Sequence, residues 1–270
     1  MTAAAAPGRT LGSQILAGCR EEGRAALIGY LPVGYPTVPE SIAAMEALIE
    51  GGIDIVEVGV PYSDPLMDGP LIQRATERAL DQGCQVDDVF TAVRAVADAG
   101  STAYVMTYWN LVLRRGVERF AADLAGAGGS GLITPDLIPD EAGEWIEASD
   151  RHGLDRVFLI APSSTRERLT VATAACRGFV YAASTMGVTG TRDSVGSAAA
   201  QVVEHAREVT DLPLCVGLGV STRAQAAEVA GYADGVIVGS ALVRALGEGG
   251  PAAVRVLTAE LAAGVREGRR

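Results

Sequence analysis

Glu57, Asp64 and Asp68 lie close together in the chain and are the residues best placed by type and spacing to move protons. Glu57 belongs to the run Ile53-Asp-Ile-Val-Glu-Val, whose β-branched residues predict a short strand over 53–58, buried on both faces. A carboxylate there is costly unless it is paired, protonated or used. The following stretch, 59–69, is rich in proline, glycine and aspartate, so the strand must give way to a loop. Pro70 then suits the first position of a helix. A buried acid at a strand end, followed by two carboxylates on the next loop, is the composition of a general acid/base site. Structural alternatives stand beside it. Glu57 can be a strand-end acid paired with an arginine. Asp64-Pro65 and Asp68-Gly69 are also ordinary turn dipeptides.

The elements that must position these residues alternate along the chain. A leading helix is predicted over 10–22. Strands follow at 26–31, 53–58, 103–107, 131–134, 156–161, 178–183, 214–216 and 235–238, with helical periodicity after each. The pattern predicts a (β/α)8 TIM barrel with an extra N-terminal helix, forming a single domain over 1–270 with 1–9 as a frayed tail. A doubly wound open sheet shows the same alternation, and only the strand count favours the barrel.

In a barrel, chemistry sits on the loops after the strand C-termini. Glu57, Asp64 and Asp68 follow the second strand, Asp136 the fourth, and Tyr181 ends the sixth. The small-residue loop after Tyr181 is long enough to close over a substrate. Gly217-Leu-Gly-Val-Ser-Thr follows the seventh strand, and Gly239-Ser240 joins the eighth to a helix start. That pair matches the barrel phosphate site, where loop amides meet a helix N-terminus. Tyr181 can equally be a core tyrosine, and Gly219 and Gly239 can serve only tight turns.

Composition removes several function classes. All 22 basic residues are arginine, so there is no lysine for a Schiff-base aldolase, a pyridoxal-phosphate anchor or a P-loop. Two histidines, His152 and His205, are too few and too far apart for a histidine-rich metal site, and no metal is expected. A net charge of −11 argues against nucleic acid. No apolar run approaches the roughly 20 residues of a membrane span, and the expected location is cytoplasmic. The scattered Cys19, Cys84, Cys176 and Cys215 read as reduced, buried thiols. Catalysis is left to carboxylates, tyrosines, hydroxyls, arginines and backbone amides.

With these residues in view, Val58-Gly-Val-Pro-Tyr-Ser-Asp-Pro-Leu-Met-Asp-Gly-Pro-Leu-Ile-Gln, preceded by Glu57, closely resembles the signature of the tryptophan synthase α subunit family. The resemblance extends through Gly29-Tyr-Leu-Pro-Val-Gly-Tyr-Pro, Tyr108-Trp-Asn, Pro135-Asp-Leu, Gly187-Val-Thr-Gly, Gly217-Leu-Gly-Val and Val238-Gly-Ser-Ala, nearly the whole chain. It implies a TIM barrel that cleaves indole-3-glycerol phosphate to indole and glyceraldehyde 3-phosphate. By motif position it implies Glu57 as the acid/base, Asp68 as acceptor for the indole N–H, and Tyr181 beside them. It assigns the phosphate to Gly190, Gly219, Gly239 and Ser240, and the indole ring to Tyr30, Ile72, Met106, Ile133 and Leu218. It implies no cofactor in this chain, pyridoxal phosphate belonging to a partner β subunit in an α2β2 heterotetramer. The loops at Asp64 and at 184–193 would lie near that partner. The second loop departs from some relatives, since Ser184-Thr-Met-Gly carries no arginine. A stand-alone indole-releasing lyase on the same scaffold is the alternative activity. The chemistry agrees with the composition: protonated indole is its own electron sink, so a retro-aldol cleavage can proceed without an imine or a metal.

Overall fold

Helix α1 (Leu11–Glu21) starts at a Thr10 cap, whose hydroxyl accepts from the Ser13 amide, in a computed structural model that describes residues 10–183, 196–217 and 219–268. The chain then alternates: β1 (Ala26–Pro32), α2 (Val38–Glu50), β2 (Ile55–Gly59), α3 (Pro70–Asp81), α4 (Val86–Asp98) and β3 (Ala103–Met106). It continues with α5 (Trp109–Arg115), α6 (Val117–Gly126), β4 (Gly131–Ile133), a 3-10 turn (Pro139–Glu141), α7 (Gly143–His152), β5 (Asp155–Val157) and β6 (Leu159–Ile160). The last elements are α8 (Arg166–Ala175), β7 (Val180–Ala183), α9 (Gly196–Arg207), β8 (Leu214–Gly217), α10 (Arg223–Ala230), β9 (Gly235–Val238) and α11 (Ser240–Glu267).

The strands form one parallel sheet in the order β5-β4-β3-β2-β1-β9-β8-β7-β6. Its two ends are consecutive in the chain. β5 and β6 are halves of the single strand expected over 156–161, the first paired with β4 and the second with β7. Between them the Phe158 amide donates to the Cys176 sulfur at 3.3 Å, which interrupts the ladder. One interrupted strand therefore closes a barrel of eight, as its count predicted.

Three segments depart from a plain alternation of one strand and one helix. The segment 109–115 is helical, its first amide bonded to Asp136 on the loop after the neighbouring strand β4, a contact local sequence cannot reveal. The helical stretch after β4 is a 3-10 turn and then α7, since Pro139 sets only the turn. α11 is two helices across a kink at Gly250 (φ 63°), followed by Pro251. The expected tail at 1–9 lies outside the described residues.

Alternation along each strand divides the core in two. Ile28, Ile55, Tyr104, Ile133, Phe179 and Ile237 point into the barrel, while Leu27, Val56, Val58 and Val105 pack against the surrounding helices. The lower end is plugged by α1, whose Leu16 and Cys19 join the inner cluster. Asp155 fixes the plug: its Oδ2 accepts from Tyr104 Oη (2.7 Å), Ser13 Oγ (2.9 Å) and Thr10 Oγ1, and Arg177 Nε lies 3.6 Å from Oδ1. This leaves the upper end, where β2, β7, β8 and β9 terminate, as the open one.

Candidate active site

Glu57 lies within β2, in register with Tyr30 of β1 and Tyr104 of β3. It is 1% exposed, and among the described residues its Oε2 has no hydrogen-bond partner. Burial without compensation favours the neutral acid and pushes its pKa from 4.5 up to about 8. The strand-end ion pair considered from sequence is not formed among the described residues. Glu57 is therefore mostly protonated at neutral pH and able to give up that proton.

Asp68 reaches the same space from the loop after β2. Burial raises its pKa to about 6, against the opposing pull of a hydrogen bond donated by the Tyr108 hydroxyl to Oδ1 at 3.5 Å. At neutral pH this carboxyl is mainly ionised. Two carboxylates on one cavity wall thus hold different charge states, the arrangement that separates proton donor from anionic stabiliser.

Tyr108 opens the Tyr108-Trp-Asn motif, and its place in the fold gives it a role that the motif does not state. Its hydroxyl accepts from the Leu66 and Met67 amides, both at 3.1 Å, so it fixes the loop that carries Asp68 as well as touching Asp68 itself. Tyr62 packs on its ring at 5.1 Å between centroids. Asp136 does not face the cavity; it accepts from the Trp109 amide (2.9 and 3.1 Å) and so holds the turn that presents Tyr108. Asp64 is exposed and accepts from Ser63 Oγ at 2.6 Å.

The structure brings Tyr30, Glu57, Asp68, Ile72, Met106, Tyr181, Gly219, Gly239 and Ser240 around one pocket of about 480 Å³, counted out to its mouth. Val220 and Ile237 complete the lining. The period-two pattern of β9 could have identified Ile237, two residues before Gly239 on the same face. Ile133 sits in the inner cluster and is not among the lining residues. Gly190, Leu218 and the loop at 184–193 lie outside the described residues. Tyrosines shape the wall because glycines leave them room. A Cβ on Gly59 would meet the Tyr30 ring at 2.5 Å, and one on Gly217 would overlap the Tyr181 hydroxyl.

The polar end of the pocket is built from backbone. Gly219 has φ +100°, a conformation that L side chains rarely adopt, and it turns the chain after β8. Beside it, after the neighbouring strand β9, α11 begins at Ser240. Val243 N–H is the first to bond back, to the Gly239 carbonyl, so the amides of Ser240 to Leu242 precede the helical ladder. The helix dipole adds a preference for an anion there. Among the described residues no group of three or more His, Cys, Asp or Glu is arranged to hold a metal ion.

Fold and site together define a phosphate-binding type of TIM-barrel enzyme working by carboxylate acid/base chemistry, with carboxylates at the mouth, an apolar wall and an anion-binding end. Comparison with known proteins specifies it further. The family model described as tryptophan synthase alpha chain matches residues 16–267. The tryptophan synthase alpha chain of Mycolicibacterium paratuberculosis is 67% identical over 255 residues, covering 94% of each chain. A structure of Mycobacterium tuberculosis tryptophan synthase superposes with a TM-score of 0.92 at 62% identity, covering 96% of this chain and 99% of that one. A mutant tryptophan synthase alpha-subunit from Pyrococcus furiosus gives 0.80 at 33% identity, covering 88% and 97%. The chain belongs to the tryptophan synthase alpha chain family. Its reaction is the retro-aldol cleavage of indole-3-glycerol phosphate to indole and glyceraldehyde 3-phosphate, in tryptophan biosynthesis.

Proposed function

We propose that Glu57 carries both proton transfers of this cleavage and that Asp68 stabilises the charge they create. Neutral Glu57 gives its proton to indole C3, and the ring becomes a cation. Ionised Asp68 accepts the hydrogen bond of the indole N–H, where that charge is greatest. The resulting Glu57 carboxylate takes the proton of the adjacent linker hydroxyl as the bond from C3 to the linker breaks. The bonding pair returns to the ring, and the products are indole and an aldehyde. Tyr181 packs beside the reacting atoms. The observation that carries this reading is the buried Glu57 carboxyl, whose Oε2 has no partner among the described residues, sharing one pocket with Asp68 and with the start of α11.

Ile72, Met106 and Tyr30 frame the ring in this reading, and Gly219, Gly239 and Ser240 take the phosphate. Gly190 and Leu218 keep the phosphate and ring roles that the sequence resemblance implies, and Ile133 supports the ring from beneath. The chemistry needs no cofactor in this chain, because the protonated ring accepts the electrons. The whole chain acts as one barrel domain in the cytoplasm; among the described residues no helix is long and apolar enough to cross a membrane.

The partner is a pyridoxal-phosphate β subunit in an α2β2 assembly. Exposed apolar residues in the segments that follow β2, β3 and β4 support this: Leu66 (74% exposed), Leu113 of α5 and Ile138. An indole-release assay on Glu57→Gln, with and without the β subunit, tests the account. The expected rate is lower by about 10²–10⁴-fold in both conditions, the usual contribution of general acid/base catalysis. An unchanged rate would remove Glu57 from the chemistry.

A further inference from the structure

Tyr30 carries a hydroxyl that its packing does not require. Its ring lies between two glycines. A Cβ on Gly59 would stand 2.5 Å from the ring Cε2 and hydroxyl, and one on Gly239 would stand 3.4 Å from Cδ1. A phenylalanine would fill the same seat. The hydroxyl is therefore an added polar group on a wall residue only 8% exposed, and a ligand that displaces water from it without offering a partner leaves it unpaired at a cost. Among the described residues it has no hydrogen-bond partner, yet it belongs to the wall of the pocket that holds Glu57 and Asp68. Tyr30 also lines the adjoining small cavity with Asp68, Met106 and Tyr108. Burial and the nearby Asp68 and Glu57 push its pKa well above 10, so it keeps its proton and remains a donor.

The direction of the ring indicates what that donor meets. Its root rests near Gly239, at the phosphate end of the pocket, and its tip lies over Gly59, two residues beyond Glu57 at the carboxylate end. It thus runs alongside the part of a bound ligand that joins the apolar ring to the phosphate. In the substrate this linker bears two hydroxyl groups. Glu57 serves the one next to the ring, and the other needs a partner when water leaves the pocket. We propose that the Tyr30 hydroxyl donates a hydrogen bond to the hydroxylated linker and makes the site selective for a polyol chain over an alkyl chain. This inference rests on the binding mode proposed above.

Two ligands separate the hydroxyl's role from the ring's: indole-3-glycerol phosphate, and an analogue in which both linker hydroxyls are replaced by hydrogen. Affinities are measured for Glu57→Gln and for Glu57→Gln with Tyr30→Phe, so that turnover does not consume the substrate. Tyr30→Phe is expected to weaken substrate binding about 3- to 10-fold, the range of one neutral hydrogen bond, and to leave analogue binding within about twofold. Equal losses on both ligands, or no loss on either, would overturn the proposal. Circular dichroism of both variants checks that the barrel is intact. The parent reading has its own readout: if Glu57→Gln turns substrate over at the unaltered rate, the acid/base assignment falls. Selectivity lost on Tyr30→Phe would still be measurable by competition with the analogue.

Discussion

The two ends of this barrel each bury a carboxylate on the inner face of a strand, and each treats it differently. At the lower end Asp155 is 1% exposed and receives three hydroxyl hydrogen bonds, from Tyr104, Ser13 and Thr10, with Arg177 beside it. At the upper end Glu57 is equally buried, yet its Oε2 has no partner among the described residues. Saturated, a buried acid ties elements together; here it anchors the N-terminal helix to strands far along the chain. Left short of partners, it pays a desolvation cost, and the same cost makes its proton available near neutral pH. Burial alone therefore does not mark a functional acid; burial without partners does.

This contrast can be broken most forcefully by exchanging the consequences of the two substitutions. Asp155→Ala leaves the Tyr104, Ser13 and Thr10 hydroxyls without their acceptor and Arg177 without the nearby charge, and should destabilise the fold by about 3–5 kcal/mol. The folded fraction should retain indole release within a fewfold. Glu57→Gln should do the reverse, removing activity while unfolding at a similar or higher denaturant concentration. Chemical denaturation and indole release on both variants check the pair. Loss of activity in folded Asp155→Ala comparable to that in Glu57→Gln would erase the distinction.

The pH dependence of stability sharpens it. Glu57 has a folded pKa of about 8 against 4.5, so the native state binds the more protons between those values. The wild type should then lose stability as pH rises from about 4.5 through 8, by an amount on the order of a few kcal/mol, and Glu57→Gln should lack this component. Denaturation midpoints of the two proteins across that window give the comparison. Parallel curves would mean that Glu57 titrates alike in both states.

A smaller effect is expected at Tyr108. Its bond to Asp68 lowers a pKa that burial raises to about 6. Tyr108→Phe removes that bond, so the Asp68 pKa should rise and the acidic limb of kcat/KM should move to higher pH by a few tenths of a unit to about one. At pH 8 the loss should be limited to that from a looser loop. A lower rate with an unmoved acidic limb would assign Tyr108 to loop packing alone.

The upper end was more legible in the sequence than the lower. Glu57 stood out because a charged residue in a β-branched run violates the local pattern, and local patterns are readable. Gly219, Gly239 and Ser240 followed from strand order and the rule that places barrel sites on the C-terminal loops. Asp155 was passed over because Leu-Asp-Arg reads as an approach to a strand, and its partners Thr10 and Ser13 are some 140 residues away. Tyr108 was seen only as a motif member, since its hydroxyl acts on a loop about 40 residues earlier. The division of β5 from β6 depends on the Cys176 sulfur from the next helix–strand connection. What sequence reading missed is what long-range hydrogen bonds decide.

The central claim is that burial without a partner holds Glu57 protonated at neutral pH. A carbon-13 titration of the glutamate side-chain carboxyls, with Glu57→Gln used to assign the resonance, measures this directly in the unliganded protein. One carboxyl titrating near pH 8, absent from the variant, is the expected result. A Glu57 resonance titrating near 4.5 would contradict it.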